Sequence, residues 1–214
     1  MNRRVHGSLR RFPMLIGLTG GVASGKSLAA KYLAELGAVV LDADRAGHQV
    51  LREPEVPNAL VKRWGPDIIG PTGEVDRGLV AEKVFGDWPQ AVADRQFLED
   101  LLHPRIRARL EAERTRQAGQ GSDVFVLDAP LLLESHWDAA CDVVIFVDAP
   151  VEQRSSRAAA RGWTASQFAQ REAAQWPVQR KRQLADWVLP NAGTPEDLRK
   201  QVHQFWQEYV ALRQ

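Results

Sequence analysis

One cysteine in 214 residues leaves this chain nothing from which to build a disulfide framework. Cys141 opens an apolar run, where a thiol serves as a small core residue, and a lone cysteine suits a reducing compartment. No apolar run approaches membrane-spanning length. Charge of one sign is scarce as well. The 28 Lys and Arg stand against 27 Asp and Glu, and a net charge of +1 rules out a polyanion binder driven by bulk charge. A basic stripe interleaved with aromatics is missing, so nucleic acid is not expected as a partner. Also absent are a Cys/His metal cluster, a Gly-x-Ser-x-Gly elbow and the Asn-Lys-x-Asp motif that reads guanine. DRAG (44–47) is only a weak match to a GTPase switch sequence. A reducing compartment makes the cytoplasm the expected location.

What is there is a soluble composition, 44% hydrophobic and 26% charged, in a chain long enough for one α/β domain with a sizeable insertion. Arginine outnumbers lysine 22 to 6, a ratio that coding bias explains, so only positioned arginines carry meaning. One stretch does concentrate them. Residues 151–182 hold six Arg and one Lys against two Glu.

The segment LTGGVASGKS (18–27) spaces Gly20, four residues, Gly25, Lys26 and Ser27 as a P-loop does. Gly20 and Gly21 open the turn, and glycine lets the backbone come close enough for N–H groups to point at phosphate oxygens. Lys26 would reach the β- and γ-phosphates of ATP, and the Ser27 hydroxyl would ligate Mg²⁺. MLIGLT (14–19) reads as a buried strand and SLAAKYLAEL (27–36) as a helix, the setting such a loop requires.

Four further runs read as strands: 38–42, 124–128, 143–148 and 187–190. They are rich in Val and Leu and do not alternate, as in a parallel sheet covered on both faces. Helical patterns between them argue for right-handed βαβ units. A last helix starts with Thr194 as cap, Pro195 and Asp197, and buries Leu198, Val202, Phe205, Trp206, Tyr209 and Val210. About eighty residues separate the second strand from the third, with helical patterns near 56–64, 79–86 and 90–118 around the turn-rich 65–78. The expected division is a core of 14–48, 119–150 and 183–214, a substrate-binding insertion of 49–118 and a helical lid of 151–182. The fold class is α/β: a P-loop NTPase-type three-layer α/β/α arrangement on a parallel five-stranded sheet.

At the end of the second strand, Asp42 and Asp44 are carboxylates that strand alternation would aim alike. Either serves as a base on an acceptor hydroxyl or as the N-cap of the following helix. Asp128 ends its strand as a Walker-B aspartate does and would hold Mg²⁺, or cap; Asp148 reads as a helix cap. In LLHPRIRARL, Arg105 and Arg109 share a helix face that Arg107 does not, and His103 precedes Pro104. Arg77 lies in the loop-rich insertion. Arg157 and Arg161 sit at i, i+4, with Arg171 on a second helix, as cations that could close over phosphates or as a solvated face.

With TGGVASGKS, DADRAGHQV, GEVDR, LLHPRIR, VLDAPLLLE and NAG in this order, the chain resembles the dephospho-CoA kinase family over roughly residues 14 to 212. The resemblance implies transfer of phosphate from ATP to the ribose 3′-hydroxyl of dephospho-CoA, the last step of coenzyme A synthesis. It implies that Ala23, Ser24, Gly25, Lys26, Ser27 and Leu28 hold the ATP phosphates and that Asp44 is the catalytic carboxylate. Arg77, His103 and Arg105 fall on the acceptor side, with Leu132 and Glu134 in the stretch Pro130 to Glu134 that shapes its pocket. Arg157 and Arg161 belong to the ATP lid, and Asn191 with Gly193 lies near the adenine. Leu28 and Ala23 replace a usual threonine and a frequent glycine, and neither removes a needed group. A monomer or weak homo-oligomer is expected. Two other readings share these residues: a P-loop kinase for another small acceptor, and a nucleotide switch without transfer, against which the long insertion counts. Residues 1–13, with four arginines and no acid, are a disordered arm, or else Met14 is the true first residue. A secretory signal there would have to include the strand that feeds the P-loop.

Overall fold

Val- and Leu-rich runs without alternation demand cover on both faces, and the chain supplies it with helices. In a computed structural model, which describes residues 13–85 and 88–213, all five expected strands form. They are β1 (Met14–Gly20), β2 (Val39–Asp42), β3 (Val124–Asp128), β4 (Val143–Asp148) and β5 (Trp187–Pro190). All pair in parallel, in the order β2-β3-β1-β4-β5, with β1 central: Leu18 is opposite Asp128 on β3 and Ile145 on β4.

The helices are α1 (Lys26–Glu35), α2 (Ala43–Val50), α3 (Glu55–Trp64), α4 (Arg77–Phe85), α5 (Ala91–Ala118), α6 (Val151–Ala159), α7 (Ala165–Ala173), α8 (Val178–Leu184) and α9 (Pro195–Phe205). One sheet face packs Leu15, Leu41, Phe125 and Leu127 against Val50 of α2, Val56 and Leu60 of α3, and Ile106 and Leu110 of α5. The other packs Ile16, Leu18, Val126 and Ile145 against Ala29 and Leu33 of α1 and Leu198, Val202 and Phe205 of α9. Neighbours on β1 thus serve opposite layers, as strand geometry requires. At Gly17 the approach is so close that a Cβ would lie 2.8 Å from both Cys141 Sγ and Leu132 Cδ2. Cys141 is buried, and burial pushes its thiol up to about 12, as befits a small core residue.

Thr194 and Asp197 form a reciprocal capping box on α9, and Thr164 with Gln167 does the same on α7. Asp148 does not cap α6. Pro150 takes the N-cap position without a side-chain bond, and the Asp148 carboxylate accepts from Arg182 at 3.1 Å instead. The expected change from core to insertion at 48/49 falls inside α2, whose hydrophobic face joins the sheet core. No helix among the described residues is long and apolar enough to cross a membrane. Residues 1–12, most of the N-terminal stretch singled out from the sequence, lie outside the described residues.

Candidate functional site

Parallel strands bring all their carboxyl ends to one rim, and the chain leaves β1 and β4 toward opposite sides of the sheet. A crevice at such a switch point is where α/β proteins bind ligands. A cleft of about 2090 Å³ opens there. The loop from Gly20 to Leu28 forms its floor.

Local geometry explains that loop. Ala23 has φ +58° and Gly25 φ +97°, two left-handed turns that swing the chain from β1 into α1. A Cβ on Gly25 would collide with the Asn191 amide, so glycine is required twice over. Ala23 carries the cost that its glycine counterpart would avoid. The Gly25 carbonyl accepts from the N–H groups of Leu28 and Ala29, at 3.0 and 3.1 Å. The first-turn N–H groups of Lys26 and Ser27 have no acceptor within α1 and, with the helix dipole, make a site for anions.

Lys26 forms an ion pair with Asp128 at the end of β3. Burial pushes the Lys26 ammonium down to about 8, against the pull of Asp44 and Asp42, and Lys181 adds to the downward push. The Asp128 carboxylate that it touches favours the charged form. Ser27 is exposed to the cleft. A serine hydroxyl and a carboxylate are oxygen donors suited to a hard cation such as Mg²⁺. No cluster of three His, Cys, Asp or Glu occurs among the described residues, so such an ion would take its remaining ligands from phosphate and water.

The two aspartates of DAD part company. Asp42 is the N-cap of α2, its carboxylate accepting from Arg45 N at 2.8 Å. Asp44 lies in the first turn of that helix, exposed and lining the cleft. Strand alternation therefore does not aim the pair alike, because β2 ends at Asp42 and the helix turns Asp44 away from it.

Arg157 and Asn191 brace the loop from the β5 side. Asn191 Nδ2 donates to the Ser24 carbonyl at 2.6 Å and Arg157 Nη1 to the same oxygen at 3.1 Å. Arg157 Nη2 also donates to the Asn191 carbonyl, and Gly193 lines the cleft beside them. Arg161 does not continue the Arg157 face of a helix. α6 ends at Ala159 and a turn through Gly162, φ +83°, carries Arg161 to the cleft. Arg171 on α7 lines the cleft as well, its guanidinium 4.2 Å from the Trp163 ring centre.

On the far wall stand His103, Pro130, Leu131, Glu134, Trp137 and Trp176. His103 packs edge-on to Trp137, and burial holds its pKa below the usual histidine value despite Glu99 and Asp100. Leu132 is not on this wall; it is fully buried in the core beneath, and the half-buried Leu131 lines the cleft instead. Arg77 and Arg105 are likewise outside the cleft lining. Arg77 meets His48 at the start of α4, and Arg105 folds back to the Leu101 carbonyl at 2.7 Å, next to Pro104, which sits inside the continuous α5 without an N–H to donate.

Sequence reading passed over three residues that hold this site together. Arg154, 4% exposed, donates to the Val22 carbonyl and to Glu172 at 2.5 Å, while Glu172 accepts from Val22 N. Lys181 is buried entirely and pairs with Glu134 at 2.7 Å. Their only signal was the charge excess of 151–182, which does not say which cations turn inward.

A sequence model of the dephospho-CoA kinase family matches residues 14–197. The dephospho-CoA kinase of Chlorobaculum tepidum is 34% identical over 207 residues, covering 94% of this chain and 98% of that protein. That of Deinococcus radiodurans is 39% identical over 203 residues, covering 94% and 92%. A Thermus thermophilus protein of known structure superposes with a TM-score of 0.78 at 34% identity, covering 92% and 98%.

Proposed function

The chain belongs to the dephospho-CoA kinase family, and we infer from its cleft how it moves the γ-phosphoryl group of ATP to the ribose 3′-hydroxyl of dephospho-CoA. The products are ADP and CoA, which makes this the final step of coenzyme A biosynthesis. One observation carries the residue assignment. The glycine loop with Lys26, Asp44 and the arginines Arg157, Arg161 and Arg171 line one cleft whose far wall comes largely from another part of the chain, and Asp128 pairs with Lys26 at its edge.

Phosphoryl transfer leaves a protein little covalent chemistry to do, so catalysis is positioning plus charge stabilisation. The N–H groups from Ala23 to Leu28 cradle the ATP phosphates, and the Lys26 ammonium turns from Asp128 to their oxygens. Arg157, Asn191 and Gly193 flank the nucleoside end. Ser27 and Asp128 are the residues that would hold Mg²⁺, which when bound neutralises phosphate charge. Asp44 orients the 3′-hydroxyl and takes its proton as the oxygen attacks phosphorus. The bond from the γ-phosphorus to the β,γ-bridging oxygen breaks, and its electron pair leaves with ADP. Arg161, on the segment 151–182 that we read as the lid, meets the charge that develops.

His103 and Glu134 face the acceptor, within a wall formed by the insertion 49–118 and the loop after β3. Arg77 and Arg105 can join them only by leaving His48 and the Leu101 carbonyl. The working unit in this reading is a monomer or weak homo-oligomer, and a single buried thiol suits the cytoplasm. Coupled ADP release, measured with and without dephospho-CoA, tests the reading. Turnover should depend on dephospho-CoA, and equal rates with a nucleoside monophosphate or a simple alcohol would overturn it.

A further inference from the structure

A lysine with none of its surface exposed needs a reason, because a buried ammonium must find partners for three protons. Lys181, on α8, finds them all in two segments. Its Nζ donates to the Pro130 carbonyl at 3.1 Å and to Gln175 Oε1 at 2.9 Å, and pairs with Glu134 Oε1 at 2.7 Å. Pro130 and Glu134 belong to the loop that follows β3 and carries the far wall of the cleft. Gln175 belongs to the turn between α7 and α8. That turn makes a second contact, Trp176 N donating to the same Glu134 Oε1 at 2.8 Å, and Trp176 itself lines the cleft.

Glu134 is therefore used on one side only. Oε1 serves both Lys181 and Trp176, whereas Oε2 is buried with no hydrogen-bond partner, although the residue lines the cleft. A buried carboxylate oxygen left unpaired is costly, so one on a residue that lines the cleft points to a partner that the protein itself does not supply. We propose that Lys181 is a positioning residue for the acceptor: by engaging Oε1 it presents Oε2 of Glu134 to an N–H or O–H donor of dephospho-CoA. Because the same ammonium clasps the α7–α8 turn, the acceptor wall and the lid segment are set as one unit. The nucleotide end of the cleft has its own braces, Arg157 and Asn191, and Lys181 reaches it only through the charge it places near Lys26, the smallest influence on that ammonium. This inference rests on reading the wall around Glu134 as the acceptor side.

The test is a steady-state comparison of wild type, Lys181→Met and Lys181→Arg, with ATP and dephospho-CoA varied separately. Losing a hydrogen bond to a charged group should raise the KM for dephospho-CoA about tenfold or more in Lys181→Met. The KM for ATP should stay within about twofold, and Lys181→Arg, which keeps the charge, should recover most of the loss. Equal changes in both KM values, or a fall in melting temperature with neither KM altered, would show a purely structural lysine and overturn the proposal. If Lys181→Met does not fold, the pair Lys181→Met with Glu134→Gln removes both buried charges and takes its place. A KM for dephospho-CoA in that folded pair equal to that of Glu134→Gln alone supports the proposal, because Lys181 then acts only through Glu134; a further rise, or a wild-type value, overturns it. Wild-type turnover on dephospho-CoA is measured alongside, so failure of the acceptor assignment is seen separately from failure of the Lys181 role.

Discussion

Lys26 and Asp44 divide the chemistry of one cleft, and each gives a sharp substitution. Lys26→Ala should lower turnover on the order of 10²–10³-fold, since one preorganised charge contact with the phosphates is lost. It should also cost some stability, because Asp128, mostly buried, loses its counter-ion. A purified Lys26→Ala protein with wild-type turnover would sink the P-loop assignment. Asp44→Asn removes basicity without touching the cap of α2, which belongs to Asp42. The expected result is a large fall in kcat with the KM for dephospho-CoA little changed; unaltered kcat would reduce Asp44 to a bystander. His103 supplies the pH dependence. Burial holds its folded pKa below the usual 6.5, so the unfolded chain takes up a proton first as pH falls through that value. Its contribution to stability is thus complete above about pH 6.5 and is lost as pH drops toward the lower folded pKa. Melting temperatures between pH 7.5 and 5 should fall more steeply for wild type than for His103→Gln, and parallel curves would remove His103 from the account.

Among the elements, α6 and α7 decide whether the segment 151–182 moves as a body or frays. Arg154 of α6 and Glu172 of α7 meet over Val22, joining both helices to the phosphate loop. Arg154 is the more deeply buried partner, so removing Glu172 strands a charge. Glu172→Ala should destabilise the protein by about 3 kcal/mol, and Arg154→Met added to it should restore part of that. Urea unfolding measures both, and a Glu172→Ala cost below about 1 kcal/mol would mean that the latch is weak. The same pair keeps Arg161 and Arg171 on the cleft side, where Trp163 sits under Arg171. Closure over ATP phosphates should therefore appear as a change in tryptophan fluorescence that Arg161→Ala blunts.

At the scale of the whole molecule, one apolar layer runs unbroken from the sheet into the insertion, through Val50, Val56, Leu60, Ile106 and Leu110. Such continuity predicts a single thermal transition, with insertion and sheet unfolding together. ATP at about a hundred times its Kd should shift that transition upward, by about 2.7 kcal/mol of added stability. Two resolved transitions in calorimetry would show that the insertion folds on its own core.

Local pattern carried a good deal. The spacing from Gly20 to Ser27 specifies a turn and a helix start within ten residues, so backbone geometry alone makes an anion site wherever the loop folds. Strand runs and capping boxes such as Thr194 with Asp197 are equally short-range, and the sequence by itself determined them. Tertiary structure decided the rest. Asp42 and Asp44 are indistinguishable as letters, and only the point at which β2 gives way to α2 makes one a cap and the other a cleft residue. Leu131 and Leu132 differ by one step of a turn, which puts the first at the cleft and the second under Gly17. Arg154 and Lys181 look like two more cations in a charged stretch. They are buried because carboxylates 18 and 47 positions away, Glu172 and Glu134, come back to meet them, and no local pattern encodes a pairing of that range.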